Sequence, residues 1–317
     1  MEVLIRCTVA ALLLAAGACD FIREPTVVGP QTRQLLVHSV LSAGSDTVRV
    51  LLTRTEGGQV SYAPIPVPGA RVRIAGGGAE VLLGEAPEGF GRCLDLRADP
   101  SPLPPVAGPG CYAAVLAGGV RPGVRYTLEV EVPGAERASG QTTVPAVPEW
   151  ILPAEGARVE SRWSRGTGLT DSLLLHWRST GASTEIPAVG ADEVYAGDRR
   201  VPDARCALFL SAHDGLGIGN VRPSSEGDSL LVLAVLTNCA QGSGPSTGST
   251  ALRPDSVALP LLLAAYDSAY AAHAEAQRNG GRGIREGRAS PGLSGAYGVF
   301  GSVATAQRRV VFVVSEP

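Results

Sequence analysis

Four cysteines in the body of the chain can carry covalent chemistry: Cys93, Cys111, Cys206 and Cys239. An even number of cysteines in an exported chain indicates disulfides, and four cysteines allow three connectivities. The local pairs Cys93–Cys111 and Cys206–Cys239 are favoured because each closes a loop within one part of the chain. Zinc is the rival interpretation, but zinc ligands cluster at short spacings and these four include no C-x-x-C pair.

Cys19 ends an N-terminal segment that has the order of a secretory signal. Arg6 provides a positive start, residues 9–15 are apolar, and residues 16–18 are small. The apolar run is too short to span a bilayer. A cysteine directly after such a segment resembles the bacterial lipobox, with Ala16 where that motif more often has leucine. We therefore expect lipidation of Cys19; the alternative is an ordinary cleaved signal and an unmodified thiol.

Lipidation would hold the folded protein at a membrane surface through acyl chains such as palmitate. Residues 1–18 are then the signal peptide and residues 19–32 a polar tether. The net charge is −3 and there is no basic block, so a nucleic-acid partner is not expected. No later segment reaches the ~18 uninterrupted apolar residues of a membrane helix. The lipid on Cys19 is the membrane contact that the sequence predicts.

Two short motifs imitate enzyme signatures. Residues 244–248 fit G-x-S-x-G around Ser246, but that pattern works at a strained strand-to-helix turn, whereas these residues lie in a Gly/Ser run. The glycines of 215–219 follow His213, but Pro223 opposes the helix that a phosphate-binding loop needs. We expect no catalytic residue and no cofactor. A hydrolase would need Ser246 or His213 to meet an acidic partner in a cleft.

Aromatic and imidazole side chains offer two further candidate sites. Tyr266 and Tyr270 lie four residues apart in a predicted helix, where they either pack on a sheet or form an exposed contact surface for a partner. Solvent accessibility decides between these alternatives. The histidines are dispersed, and we expect structural imidazoles rather than a metal site or a catalytic pair: His38, His176, His213 and His273.

The first half of the chain has the pattern of short strands separated by turns. The chain contains 40 glycines and 24 prolines, which favours many turns and few long helices. Residues 124–132 alternate most regularly between apolar and polar, as a half-buried strand does. An immunoglobulin-like β-sandwich is predicted over residues 33–147. Its strands are expected at 34–41, 47–53, 70–74, 79–83, 124–132 and 138–144.

The second half, residues 148–317, is predicted to be a β-rich domain with one amphipathic helix. Residues 230–236 are continuously apolar, as in a strand buried on both faces. The helix is expected within Pro260–Asn279, because apolar side chains recur there every three or four residues and two glycines follow. Further strands are expected at 159–163, 172–177, 204–212, 229–237, 297–304 and 309–315.

With these elements in view, the chain resembles the domain of unknown function 4249 family, a group of Gram-negative lipoproteins. A long insertion at 99–110 and the low aromatic content depart from the family pattern. The motifs that carry the resemblance are L-L-V-H-S-V-L, V-R-V-L-L-T-R-T, P-G-A-R-V-R-I, P-G-V-R-Y-T-L-E-V, T-T-V-P, A-A-Y-D-S-A-Y-A-A-H and Y-G-V-F-G-S.

The resemblance implies a predominantly β, two-part lipoprotein of the outer membrane. Such proteins are often found beside TonB-dependent transporters and have no established catalytic residues. We therefore expect an all-β, non-catalytic accessory that binds a transporter or its ligand. The alternatives are an envelope structural or adhesion module and, less favoured, a hydrolase.

Overall fold

The computed structural model describes the chain in a series of stretches separated by gaps. They are residues 34–54, 65–86, 93, 109–134, 136–164, 168–178, 182–185, 193–196, 199–200, 204–212, 229–241, 250–251, 255–278 and 292–315.

Strands dominate these residues, with a single α-helix, α1, among them. The all-β prediction is therefore confirmed. In chain order the elements are β1 (Leu35–Ser42), β2 (Thr47–Arg54), β3 (Ile65–Pro66), β4 (Arg71–Gly76), β5 (Ala79–Glu85), β6 (Cys111–Val115), β7 (Arg125–Glu131), β8 (Arg137–Thr143), β9 (Glu149–Leu152), β10 (Ala157–Ser164), β11 (Gly168–Arg178), β12 (Ser183–Glu185), β13 (Glu193–Ala196), β14 (Arg199–Arg200), β15 (Ala204–Ala212), β16 (Ser229–Gln241), β17 (Thr250–Ala251), β18 (Ser256–Tyr266), α1 (Ser268–Arg278), β19 (Leu293–Ser294) and β20 (Tyr297–Ser315).

Two sheets share one hydrophobic core in the first half. The front sheet runs β6–β2–β1–β20, and the back sheet runs β5–β4–β7–β8–β19. The end of β5 also pairs with β6 and so connects the two sheets. Alternate residues of β7, including Leu128, point into the core, together with Val37 from β1 and Phe300 from β20. The immunoglobulin-like strand arrangement stays a prediction.

A buried tyrosine fixes the start of β7. The Tyr126 hydroxyl accepts a hydrogen bond from the Arg121 amide at 3.0 Å and donates to the Gly119 carbonyl at 3.4 Å. A tyrosine that bonds back to the backbone a few residues upstream is a feature of immunoglobulin-like sandwiches known as the tyrosine corner. This contact positions the neighbouring Arg125 at one end of the back sheet.

The longest strand, β20, connects the two halves of the chain. Its first part pairs in parallel with β1 over residues 297–303, and its last part pairs in parallel with β10 over residues 310–315. The core of the first half therefore includes residues that lie far beyond position 147, and the hydrogen bonding of the front sheet crosses the predicted domain boundary.

Two arms of strands leave β20 in the second half. One arm runs through β10, β11, β16 and β15, and the other runs through β18 to β12 and β13. The far ends of the arms, β13 and β15, lie near each other. Trp150 of β9 connects this region to β20, because its indole N–H donates to the Ala306 carbonyl at 3.1 Å.

The structure corrects the predicted helix. Residues 256–266 form strand β18 and the helix begins at Ser268, so the first part of the predicted helix is extended chain. Pro260 lies at the beginning of the range predicted to contain the helix, but in β18 it lies opposite Arg309 of β20. Residues 263–266 are buried without interruption, so no period of two marks this part of the strand. Strand β6 was also missed, and the two predicted final strands are one.

Candidate functional site

A cleft of about 930 Å³ lies between the edge of β8 and the first turns of α1. Gln141 and Thr143 line one wall from β8, and Ser268 and Ala272 line the other from the helix. The helix is held here because it packs on β20, which also carries the cleft's neighbour Ser302. The cleft therefore opens where three elements from distant parts of the sequence meet.

Asp267 organises the end of this cleft. One carboxylate oxygen, Oδ1, accepts hydrogen bonds from the backbone amides of Tyr270 and Ser302, each at 3.0 Å. The other, Oδ2, accepts from the Thr142 hydroxyl at 2.7 Å. Asp267 is the N-cap of α1, since its side chain satisfies an amide of the first helical turn. The carboxylate is thus engaged in holding the helix to β8 and β20.

The two hydroxyl partners of this network are buried. Thr142 is 3% exposed and Ser302 is 0% exposed, and their hydroxyl oxygens lie 2.7 Å apart. The Ser302 hydroxyl also lies 3.2 Å from the Thr143 carbonyl, to which it can donate. Buried polar groups with hydrogen-bond partners define one arrangement of the surrounding chain. This network sets the distance between the cleft walls.

Exposed charges of opposite sign border the cleft. Arg125 lies at the start of β7, and Glu275 lies two turns into α1. Around them the lining is short and weakly polar, with threonine, serine, glycine and alanine side chains. Among the described lining residues there is no nucleophile beside a histidine base. The described lining therefore offers a partner short polar side chains with one positive and one negative charge beside them.

Tyr266 and Tyr270 are buried, so of the two alternatives the exposed contact surface is wrong. Their side chains are 3% and 1% exposed, and their ring centroids lie 4.8 Å apart. Both belong to a core cluster with Val299 and Val303 of β20. Their role is to pack the helix and β18 together, which was the other sequence-based interpretation.

Two of the dispersed histidines meet in the structure. His38 of β1 and His273 of α1 are buried, with ring centroids 5.7 Å apart and ring planes nearly perpendicular. Tyr270 lies beside His273, at a centroid distance of 6.4 Å. Within the described stretches, no three histidine, cysteine or acidic side chains come together as a metal site would require. His176, on β11, is partly buried.

The five cysteines with a predicted role fall into three groups. Cys93 and Cys111 form a disulfide with Cα atoms 5.6 Å apart, and both are buried against Leu51. Cys206 lies in β15 and Cys239 lies in β16. Cys19 lies outside the described residues, as do the other two residues singled out for chemistry, His213 and Ser246. Among the helices of the described stretches, none has the length and hydropathy of a membrane span.

Asp267, Thr142 and Ser302 were not predicted to be site residues. The signal for Asp267 was present, because aspartate directly before S-A-Y is a favourable N-cap pattern. The range predicted to contain the helix, Pro260–Asn279, includes Asp267 well after its beginning and hides that signal. Thr142 and Ser302 carry no local signal, because they meet only through the pairing of distant strands.

Comparison with known proteins supports the family resemblance over about half of the chain. The sequence profile of a domain of unknown function (DUF4249) matches residues 23–174 and ends within β11. No curated protein matches the sequence. Among solved structures, the CupB6 tip adhesin from Pseudomonas aeruginosa has 10% identity over 93% of this chain and 95% of its own, with a TM-score of 0.19. So low a TM-score carries no argument about fold or function.

Proposed function

We propose that this protein is a non-catalytic binding module of the outer membrane, held by a lipid on Cys19, and that it acts as an accessory of a TonB-dependent transporter. In this proposal the cleft between β8 and α1 is the site that recognises the transporter or its ligand. The family resemblance is the reason for proposing a transporter as the partner, and the lipobox-like segment is the reason for proposing a membrane anchor.

The observation that carries the binding role is that the protein itself already engages the Asp267 carboxylate inside the cleft. Asp267 accepts hydrogen bonds from two backbone amides and from Thr142. Both oxygens of this carboxylate are therefore engaged by protein donors, and its role is to hold α1 against β8 and β20. The exposed charges, Arg125 and Glu275, lie at the rim, where they can select and orient a partner.

Recovery of partners from native membranes tests the proposal. The lipoprotein would be isolated in detergent from membranes of the source bacterium, and co-purifying proteins identified by mass spectrometry. We expect a TonB-dependent transporter among them. If repeated isolations yield no transporter, the accessory role is wrong.

A pair of matched charge reversals locates the contact. Arg125→Glu changes an exposed arginine at the cleft, whereas Arg158→Glu changes an exposed arginine on β10 outside it. We expect the first to reduce transporter recovery at least several-fold and the second to leave it unchanged. Equal recovery with both variants would remove the cleft from the proposal while leaving the partnership standing.

The anchor is tested separately. Cells that express the parent protein and the Cys19→Ser variant would be labelled with palmitate and fractionated. We expect label in the parent alone and release of the variant from the membrane. A parent that incorporates no label and fractionates as a soluble protein would contradict the anchoring step.

An envelope structural or adhesion module is the second candidate function. The observation that favours it is a set of exposed aliphatic side chains on adjacent strands, Ile151 and Leu152 of β9 and Leu174 of β11. Exposed apolar surface of this kind is a common feature of self-associating proteins. Sedimentation velocity over a hundredfold range of concentration tests it; a constant monomer mass would count against self-association.

A further inference from the structure

Strands β15 and β16 bring two cysteines to the same point of an antiparallel pair. Arg205 pairs with Ala240, and the next recorded pair is Ala207 with Thr237, so the register shifts by one residue between them. One residue of β15, Cys206, therefore lies opposite two residues of β16, Asn238 and Cys239. Two residues opposite one is the definition of a β-bulge.

The backbone spacing at this point suits a disulfide. Opposed residues in an antiparallel pair have Cα atoms about 4.5–5.5 Å apart. Disulfides need Cα atoms about 4.4–6.8 Å apart. The other two cysteines of the mature body, Cys93 and Cys111, are already joined to each other. Cys206 and Cys239 are thus each other's nearest partners by register and by elimination.

The sequence of β16 leaves its register poorly specified. Residues 230–236 are apolar without interruption, so a slip by one residue would exchange one apolar face for another. In β7, by contrast, buried and exposed residues alternate strictly, and a slip would bury charged side chains. Strand β16 therefore needs something other than its hydrophobic pattern to select one pairing with β15.

We propose that Cys206 and Cys239 form a second disulfide, which locks the register of β15 against β16. Two thiols each lose a proton, and together they lose two electrons to the disulfide of an oxidising protein of the envelope, which leaves as a dithiol. The new S–S bond fixes the bulge and with it the eight residue pairs that the two strands form. This inference does not depend on the proposed function.

Peptide mapping of the unreduced, exported protein tests the bond directly. A protease that cleaves before aspartate separates the two cysteines, since Asp214 and Asp228 lie between them. We expect a linked pair of peptides, 203–213 with 228–254, that is lost on reduction. Unlinked thiols at both positions, or a bond from either to Cys93 or Cys111, would overturn the proposal; the Cys93–Cys111 link serves as the internal control.

Hydrogen exchange tests the register lock. The doubly substituted Cys206→Ser/Cys239→Ser protein would be compared with Cys93→Ser/Cys111→Ser as the matched control. We expect amide exchange in β15 and β16 to accelerate at least tenfold in the first variant and to stay within twofold of the parent in the second. Unchanged exchange in the first variant would contradict the lock. If that variant does not fold, amide exchange in β15 and β16 is compared in the folded parent protein before and after reduction. Acceleration of at least tenfold supports the lock, and unchanged exchange contradicts it.

Discussion

Strands β7 and β18 show two ways of burying a strand in one protein. In β7 the exposed and buried positions alternate without exception over residues 125–131. In β18 the four consecutive residues 263–266 are all buried. The first strand has one face on a core and one in solvent. The second pairs with β20 along one edge and with β12 and β13 along the other, and over residues 263–266 both of its faces are buried.

This difference explains why the first half of the chain can be interpreted from its alternation of apolar and polar residues. A strand with one solvated face carries its orientation in its own residues, because polar side chains must alternate with apolar ones. A strand that is buried on both faces has no such alternation. Its register therefore depends on the strands that pair with it.

Removal of β20 should abolish folding of the first half. The fragment 33–147 contains the regular strands, but β1 loses the partner that it has over residues 297–303, and the core loses Phe300. We expect no cooperative unfolding transition by circular dichroism. The control fragment carries residues 292–304 on a flexible linker after residue 147 and should regain a transition. A cooperative transition in the shorter fragment would make the first half an independent domain.

An aspartate scan compares the two strands directly. In β7, Asp at Thr127 and Glu129 should change the free energy of unfolding by less than about 0.5 kcal/mol, because both side chains are exposed. In β18, Asp at Leu263, Ala264 or Ala265 should each cost more than about 3 kcal/mol, since each buries an unpaired charge. Urea denaturation measures both sets. Alternating costs along β18 would show that one of its faces is solvated.

Loss of the Asp267 side chain should loosen the seam between the halves. Asp267→Ala removes the N-cap of α1 and leaves the buried Thr142 hydroxyl without its carboxylate acceptor, at a cost of about 2–3 kcal/mol. Asp267→Asn keeps an acceptor for the amides and should cost about half as much. The matched control, Asp46→Ala in the exposed turn before β2, should be nearly neutral by urea denaturation. Equal costs for the three variants would contradict the role assigned to Asp267.

A smaller, pH-dependent effect is expected at Tyr112, within the regular half. Burial is the main cause that raises the pKa of Tyr112 to about 12, and the nearby Glu85 carboxylate adds to it. The Tyr112 hydroxyl also donates to the Val67 carbonyl at 2.8 Å. In the unfolded chain tyrosine ionises near its ordinary pKa of about 10. Between this pKa and that of the folded state, the unfolded chain loses the hydroxyl proton while the folded protein keeps it.

The stability that neutral Tyr112 contributes is therefore complete below about pH 10 and is lost as the pH rises toward the folded-state pKa of about 12. Between pH 9.5 and 11.5 the parent should lose about 2 kcal/mol more than Tyr112→Phe, measured by urea denaturation. Tyr297→Phe removes a hydroxyl elsewhere and should behave like the parent. A parent and a Tyr112→Phe variant with the same pH dependence would contradict this assignment.

Most strands could be located from the sequence, and their arrangement could not. Residues 47–53 and 124–132 were predicted as strands and lie in β2 and β7, because alternation is a local property. Strand β6 was missed because it follows a Pro/Gly-rich segment and pairs with β2, sixty residues earlier. The helix was predicted too long because leucine and alanine in β18 favour a helix until the neighbouring strands are taken into account.

The sequence alone predicted the all-β class and most local strands of the first half, and it favoured the local Cys93–Cys111 pair, because all of these depend on residues close together in the chain. Only the tertiary structure decided that β20 belongs to both halves, that His38 meets His273, and that Tyr266 and Tyr270 are buried. It also decided that Thr142, Asp267 and Ser302 form one network. The physical reason is that a side chain's burial and partners depend on which distant strands pair, and an apolar run without alternation does not encode that pairing.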